Sequence, residues 1–322
     1  MLLASRSWPP PHVTEQTVIT PPVFVLGCPR SGTTLLAEFL APTRYGTPVE
    51  THFITKYARL ETTYGDLSVR GNFDRLVNDI LAERPVMQWR LTVDREALWA
   101  AHGQQSYAGI VHGVCTLRTA PMGKSSWGDK TPHYILDVSR LDALFPDAKF
   151  VVIVRDGRDV ELSLLEKTWG PGNLYACAHY WKACHAETPV LARLRARGRL
   201  CEVRYEDLLA DPRAVVARVY AFLEEPFPEA ALRPLLESVR SGNRDKWKTR
   251  LTPAEIRRFE HVAAGTLSRF GYASTYQERG VGVASRAWFR LHDKVHTLSH
   301  LVRTNTVDAL RIRYFGMEPF AD

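Results

Sequence analysis

The chain has 322 residues, of which 45% are hydrophobic and 24% are charged, and its mean hydropathy is −0.21. This composition is typical of a globular protein with a sizeable core, and it excludes a disordered chain, a collagen and a small disulfide-stapled protein. The formal net charge is +7, with basic residues concentrated between Arg240 and Arg258. Both an anion site and a solvated helix face fit that cluster. No known nucleic-acid-reading motif accompanies it, so nucleic acid is not expected as a partner.

The cysteines predict a reducing, cytoplasmic environment. Five are present, and none forms a Cys-x-x-Cys pair that would indicate a zinc ribbon or a disulfide framework: Cys28, Cys115, Cys177, Cys184 and Cys201. The first residues carry too short an apolar run for a signal peptide, and no later stretch reaches the length of a membrane span. Secretion and membrane insertion are therefore disfavoured.

The ordered part of the chain is expected to start after a proline-containing, aperiodic arm at residues 1–20. A main domain over 21–275 opens with Val23–Leu26, a short unbroken apolar run that predicts a strand buried on both faces. Phe150–Val154 and Leu200–Val203 predict two further strands.

Helical patterns separate these strands. The apolar residues from Val215 to Leu223 follow a helix start signal, Asp211-Pro212. Residues 55–125 are predicted to be mostly helical. Their aromatic side chains recur at helical spacing, which indicates core residues rather than a ligand site. Strands alternating with helices indicate an α/β fold, which we interpret as a P-loop-like three-layer sandwich with a central parallel sheet flanked by helices.

Residues 276–322 predict a C-terminal helical extension with an amphipathic helix. Such a helix is suited to docking on the body of the protein, on a second subunit or on a membrane surface. His292, His296 and His300 lie at i, i+4, i+8 on this helix. No carboxylate or cysteine pattern accompanies them, so we interpret them as a helix flank and predict no metal site.

A phosphate-binding loop is predicted directly after the first strand, in Gly27-Cys28-Pro29-Arg30-Ser31-Gly32-Thr33-Thr34. The glycines let backbone N–H groups turn inward, and the two threonines add hydroxyl donors at the start of a helix. The Gly-x4-Gly spacing matches a nucleoside-triphosphate loop. However, Thr33 stands where a kinase or triphosphatase needs lysine, and Arg30 lies inside the loop instead. This departure argues against ATP or GTP chemistry.

The loop and several later segments, from about Pro22 to Tyr272, resemble the sulfotransferases that use 3′-phosphoadenosine 5′-phosphosulfate (PAPS), especially their bacterial and tyrosylprotein-type branch. The resemblance implies a donor site that needs no metal. Its residues would be Arg30, Ser31, Gly32, Thr33 and Thr34 at the 5′-phosphosulfate, Arg155, Ser163 and one of Arg244, Lys246 and Lys248 near the 3′-phosphate, and Tyr205 at the adenosine end.

The same resemblance implies the catalytic groups. Lys130, in a Lys-Thr-Pro segment, would join Arg30 in stabilising the leaving oxygen. Glu50 matches the acidic catalytic residue of the tyrosylprotein branch and is the predicted base. His52 and His133 stay open as alternatives, because histidine needs no pKa shift to accept a proton near neutral pH.

The leading functional hypothesis is a cytoplasmic PAPS-dependent sulfotransferase that sulfates a hydroxyl or amine on a small molecule, sugar or peptide. Residues 55–125 and the tail are candidates for the acceptor site. A P-loop kinase is the second hypothesis, favoured by the glycine spacing and by Asp156 after an apolar strand. A non-catalytic nucleotide-binding scaffold of the same fold is the third. The sequence leaves the acceptor, the oligomeric state and a peripheral membrane contact open.

Overall fold

The structure is a computed structural model, and it describes residues 21–102, 106–276 and 282–303. The predicted arm, residues 1–20, and the end of the predicted extension, residues 304–322, lie outside the described residues. The chain forms two compact units. One contains residues 52–126, and the other contains residues 22–51 together with the described residues from 127 onward.

The larger unit is built on a parallel sheet of four strands: β1 (Val23–Gly27), β2 (Gly128–Asp129), β3 (Lys149–Val154) and β4 (Leu200–Arg204). Their order across the sheet is β2-β1-β3-β4. Val23 lies opposite both Gly128 and Lys149 in the register. The three predicted strands are confirmed. β2 was not predicted, because two residues are too few to show a period.

The described residues contain sixteen α-helices and two short 3₁₀ helices. The α-helices are α1 (Thr33–Glu38), α2 (Phe53–Tyr64), α3 (Arg70–Leu81), α4 (Arg84–Met87), α5 (Arg95–His102), α6 (Tyr107–Thr119), α7 (Val138–Leu144), α8 (Gly157–Leu164), α9 (Leu174–Cys184), α10 (Pro189–Ala196), α11 (Tyr205–Ala210), α12 (Pro212–Leu223), α13 (Glu229–Ser238), α14 (Trp247–Arg250), α15 (Pro253–Arg269) and α16 (Val283–Val302). The 3₁₀ helices are Ala120–Met122 and Pro132–Asp137.

Helices cover both faces of the sheet, as the predicted three-layer sandwich requires. One face of β1, β3 and β4 packs against α1, α11, α12 and α13 in a continuous apolar core. The other face carries aromatic rings, with Phe24 stacked on Phe150 at 5.4 Å between centroids and edge-on to Trp127 at 5.9 Å. The α/β fold class is therefore confirmed.

The predicted start signal, Asp211-Pro212, forms the N-terminus of α12 as expected. Pro212 occupies the first turn, where its missing N–H costs nothing, and the Asp211 side chain accepts a hydrogen bond from the Ala214 backbone N–H at 2.9 Å. The helix then buries its apolar stripe against the sheet. This confirms the prediction of a helix over this segment.

The smaller unit contains α2 to α6 and has its own core. Tyr57, Tyr64 and Tyr107 are buried, and the Tyr57 hydroxyl donates to Glu83 at 2.7 Å. The Tyr107 hydroxyl donates to the Ile54 carbonyl at 2.8 Å. Because a buried tyrosine keeps its hydroxyl satisfied in this way, these aromatic residues act as core side chains, as their spacing predicted.

The C-terminal helix α16 packs against the start of α9. The Gly172 N–H donates to Asp293 at 2.8 Å, the Asn173 side chain donates to the Phe289 carbonyl at 2.9 Å, and the Phe289 ring stacks on Tyr175. Nδ1 of His292 lies 3.4 Å from the Asn173 amide nitrogen.

The described residues lack two features, a membrane-spanning helix and a metal-binding cluster. No helix in them has both the length and the apolar character needed to cross a membrane. Within the same ranges, no group of three or more His, Cys, Asp or Glu side chains is arranged to hold a metal ion.

Arg158 is the charged centre of the helical layer. Its side chain is 2% exposed and donates two hydrogen bonds to Asp156, at 3.0 and 2.7 Å. It also pairs with the buried Glu260 at 2.6 Å, and its guanidinium lies 3.7 Å from the Trp247 ring centroid. Trp247 directly follows residues 240–246, which form the basic loop. The ring contact therefore connects the Arg158 network to the end of that loop. We therefore expect Arg158 to stabilise the fold.

Arg158→Met should lower the free energy of unfolding by about 3–5 kcal/mol, because it leaves Asp156 and Glu260 buried without their cation. Chemical denaturation measures the loss. The matched control is Arg213→Met, which breaks an ion pair to Glu229 whose side chains are 63% and 45% exposed. It should cost less than about 1 kcal/mol. Equal losses in the two variants would show that burial of the Arg158 network has no special role.

Candidate active site

The chain reverses its direction across the sheet next to β1. From β1 it passes to β2 on one side, and from β2 it returns to β3 on the other side of β1. In parallel sheets such a reversal leaves a crevice at the carboxyl ends of the two strands, where ligands bind. The predicted phosphate loop follows β1, and Arg155 follows β3 directly. Both predicted segments therefore lie at this crevice.

The loop after β1 is sharply curled. Arg30 and Gly32 both have positive φ, at 73° and 95°. A Cβ added to Gly32 would lie 2.5 Å from the Tyr205 ring, so only glycine fits there. The first hydrogen bond of α1 runs from the Leu36 N–H to the Gly32 carbonyl. The N–H groups of the first turn, including those of Thr33 and Thr34, therefore have no acceptor within the helix.

Two buried polar atoms at the crevice have no hydrogen-bond partner. They are the Ser31 hydroxyl oxygen and the Arg155 Nε. Ser31 as a residue has no exposed surface, and Arg155 as a residue is 6% exposed. Leaving such groups unpaired costs about 1–3 kcal/mol each in an ordinary core. Atoms of this kind are suited to an oxyanion ligand, so the residues present fit a phosphate-bearing group.

Arg30 links the loop to α8. Its Nε donates to the Ser163 hydroxyl at 2.8 Å, although the two residues are 133 positions apart. Ser163 lies on α8, which begins at Gly157 directly after the strand–helix turn. The structure therefore brings together two residues that the sequence assigned to opposite ends of a nucleotide.

Arg155 spans the crevice. It donates to the carbonyl of Arg30 at 3.3 Å and to the carbonyl of Asn243 at 2.8 Å. Its guanidinium lies 4.6 Å from the centroid of the Tyr205 ring, and the Tyr205 hydroxyl accepts a hydrogen bond from the Asn243 amide at 2.7 Å. Tyr205 is thus 4% exposed and packed between Gly32 and Arg155. Its predicted contact with adenosine stays a prediction.

The basic loop is held at this edge by Asp159. That buried carboxylate accepts backbone N–H hydrogen bonds from Asp245 at 2.8 Å and Trp247 at 3.0 Å. Burial raises the pKa of Asp159, and these N–H groups and Arg155 oppose the rise. Lys246 and Lys248 are exposed, and Lys248 pairs with Asp245 at 2.8 Å.

Glu50 and Lys130 form an ion pair at the same edge of the sheet. The Lys130 ammonium lies 2.5 Å from Glu50 Oε1, with side-chain exposures of 12% and 39%. A backbone bridge aligns the two segments, because Val49 pairs in parallel with Asp129 and the Lys130 N–H donates to the Val49 carbonyl at 2.9 Å. The predicted base and the predicted leaving-group cation are therefore neighbours.

Asp129 holds the Glu50 and Lys130 segments together. It is fully buried and accepts hydrogen bonds from the hydroxyls of Thr51 and Thr131, at 2.7 and 2.8 Å, and from both of their backbone N–H groups. Thr51 follows Glu50 and Thr131 follows Lys130. The carboxylate thus sets the spacing of the two backbones that carry the ion pair.

The two alternative bases occupy different surroundings. His133 is exposed at the start of the 3₁₀ helix Pro132–Asp137, where its ring lies edge-on to Tyr134. His52 belongs to the smaller unit, has a positive φ of 55° and precedes the first residue of α2.

A family model described as the sulfotransferase family matches residues 21–229. The chain belongs to the sulfotransferase family. This sulfotransferase is 26% identical to nodulation protein NoeE of Sinorhizobium fredii over 308 residues, covering 82% of this chain and 69% of that protein. It is 22% identical to protein-tyrosine sulfotransferase 1 of Danio rerio, covering 78% and 72% of the two chains. The predicted enzyme class is confirmed.

Among solved structures, the sulfotransferase domain of the Synechococcus PCC 7002 olefin synthase is similar to this sulfotransferase. It has a TM-score of 0.52 at 23% identity, and the match covers 80% of this chain and 98% of that domain. The two share a fold.

Three positioning groups of the sulfotransferase were not predicted as site residues. Asn243 orders Tyr205 through its side-chain amide and Arg155 through its backbone carbonyl, and Asp129 and Thr51 order the Glu50–Lys130 pair. Asp129 could have been found, since it directly precedes the singled-out lysine. Asn243 carried no signal, because its contacts are made across the fold.

Asp129→Asn should change how stability depends on pH. Burial raises the pKa of Asp129 from 3.8 to about 6. Between these values the folded protein binds more protons than the unfolded chain, so this group makes the wild type less stable as the pH rises. The variant lacks this loss, so its stability relative to wild type should improve by up to about 3 kcal/mol between about pH 4 and pH 6.

Urea denaturation of both proteins across this pH range measures the difference. Other carboxyls contribute equally to the two proteins and cancel in the comparison. A difference in unfolding free energy that stays constant with pH would contradict the assignment.

Proposed function

We propose that this sulfotransferase transfers a sulfuryl group from PAPS to a hydroxyl or amine acceptor, with Glu50 as the general base. The proposal rests on the set of groups that the structure brings together at one edge of the sheet. The crevice beside β1 combines the unpartnered Ser31 hydroxyl and Arg155 Nε with the Arg30–Ser163 contact, and the Glu50–Lys130 pair lies at the same edge of the sheet. Oxyanion-binding groups and a carboxylate are what sulfuryl transfer requires.

The chain's own residues divide the binding task. Ser31, Gly32 and the first-turn N–H groups of Thr33 and Thr34 would bind the 5′ end of the nucleotide, together with the Arg30 side chain. Arg155 and Ser163 would bind its 3′-phosphate, and the exposed cations Lys246 and Lys248 would add long-range attraction for the anion. When bound, PAPS supplies an activated sulfuryl group on a phosphate oxygen.

Glu50 and Lys130 would separate during the reaction, and each would then act on a different reacting group. Lys130 has a flexible ammonium, which can leave Glu50 and turn toward negative charge as it develops on the leaving phosphate oxygen. That movement releases a Glu50 oxygen to accept the proton of the acceptor hydroxyl or amine. Arg30 shares the stabilisation of the leaving oxygen. Asp129 keeps the two backbones in place throughout.

A hydroxyl is the favoured acceptor group, and we propose a phenolic one as the first to test. The name of the relative from Danio rerio, a protein-tyrosine sulfotransferase, supports this choice.

We also propose that the enzyme works in the cytoplasm. The five cysteines support this, since all are free and buried in the structure.

The nucleotide site is tested by calorimetry with adenosine 3′,5′-bisphosphate and with ATP plus magnesium. The wild type should prefer the bisphosphate. Arg155→Ala should weaken its affinity about ten- to hundredfold, and Ser163→Ala less, because charge-assisted hydrogen bonds to the phosphate are lost. Arg213→Ala, which removes a side chain that is 63% exposed, is the control and should bind normally. Preference for ATP would reject the PAPS proposal in favour of a kinase.

Glu50→Gln should lower kcat by about 10²- to 10⁴-fold, since it removes the proton acceptor. Its affinity for adenosine 3′,5′-bisphosphate should stay close to that of wild type. The assay follows PAPS turnover with 4-nitrophenol, a primary alcohol and an amine. His52→Gln and His133→Gln are the matched variants and should retain activity. Near-normal turnover by Glu50→Gln, together with loss in either histidine variant, would assign the base to that histidine.

A further inference from the structure

The outward face of α16 is a continuous apolar stripe. Large apolar side chains recur there with alternating spacings of three and four residues: Trp288, Leu291, Val295, Leu298 and Val302. Together with Leu301, their exposures lie between 48% and 63%. Six of the thirteen exposed large apolar residues among the described ranges lie on this one helix. Scattered exposed apolar residues are ordinary, but a contiguous row marks an interaction surface.

The other side of α16 is already occupied. Phe289 and Asp293 contact Tyr175 and the Gly172 N–H at the start of α9, and the Arg258 guanidinium lies 4.7 Å from the Phe289 ring centroid. Phe289, Asp293 and His296 are partly buried, whereas the stripe residues are exposed. The stripe is therefore left facing away from α9 because the docking contacts hold the helix in one orientation.

The charges beside the stripe have one sign. Between Val283 and Val302 the sequence has three basic residues, Arg286, Arg290 and Lys294, and all three are exposed. The single acid in this span, Asp293, is partly buried and accepts the Gly172 N–H. An amphipathic helix with Trp and Leu on one face and cations beside them, with no exposed acid, is suited to the interface of an anionic membrane.

We propose that α16 is a peripheral membrane-binding helix that lies in the surface of an anionic lipid bilayer. The helix is about 30 Å long, and its stripe would enter the boundary between headgroups and acyl chains while Arg290 and Lys294 meet anionic headgroups. A second copy of the chain is a poorer occupant. Two α16 helices packed along their stripes would gather the exposed cations of both copies at one interface, with no exposed acid on either helix to pair them.

The test is sedimentation of the full chain with vesicles of phosphatidylcholine, with and without phosphatidylserine, at low and high salt. The protein should bind the phosphatidylserine vesicles preferentially and lose affinity as salt increases. The double variant Trp288→Ser/Leu298→Ser should bind at least about tenfold more weakly, because it removes two large apolar groups from the stripe. Arg290→Glu/Lys294→Glu should also bind at least about tenfold more weakly, and only on the anionic vesicles.

The matched control is Met87→Ser/Met122→Ser, which removes two equally exposed apolar side chains far along the chain from α16. It should bind like wild type. Far-ultraviolet circular dichroism establishes that each variant is folded. Failure of the wild type to bind either vesicle overturns the proposal, as does equal loss in the control. A stable dimer that dissociates on Trp288→Ser/Leu298→Ser, without vesicle binding, would assign the stripe to a second copy instead.

Discussion

The parallel pairing of β1 with β3 is the constraint on which the site depends. Gly27, the last residue of β1, lies opposite Ile153, and a Cβ on Gly27 would approach the Ile153 carbonyl to 2.5 Å. Because the strands meet this closely and in the same direction, the chain leaves both of them at one edge. The curled loop from one strand and Arg155 from the other therefore face each other, and the Arg30–Ser163 contact follows from that placement.

The charged residues near this edge fall into two groups with different roles. Arg158, Asp156 and Glu260 are buried and satisfy one another, so their charges are used for the fold. Arg30, by contrast, is exposed, and Arg155 keeps a buried nitrogen without a partner. Unmatched donors at the mouth of a crevice are available to a ligand, whereas matched ones stiffen the surrounding helices. A rigid support beneath unsatisfied donors is the arrangement that preorganised anion binding requires.

Sequence patterns located the strands and the phosphate loop well, because these features are local. Three buried strands appear as apolar runs, and the Asp211-Pro212 start signal acts within one helical turn. The two-residue β2 escaped prediction, since its strand conformation comes from pairing with β1. Asn243 escaped for the same kind of reason. Nothing local distinguishes it from any other loop asparagine, and its importance comes from the groups it reaches across the fold.

Local sequence patterns are enough to predict the fold class, the sulfotransferase motifs and the residue types available for chemistry, because hydrophobic period and loop composition are properties of neighbouring residues. Which of those residues meet depends on the tertiary structure. Glu50 and Lys130 are 80 positions apart and become an ion pair through a single backbone bridge and the buried Asp129 carboxylate. Similarly, the amphipathic pattern of α16 did not say which residues would be covered. The contacts of Phe289 and Asp293 with the start of α9 decided that, and they left the row from Trp288 to Val302 exposed.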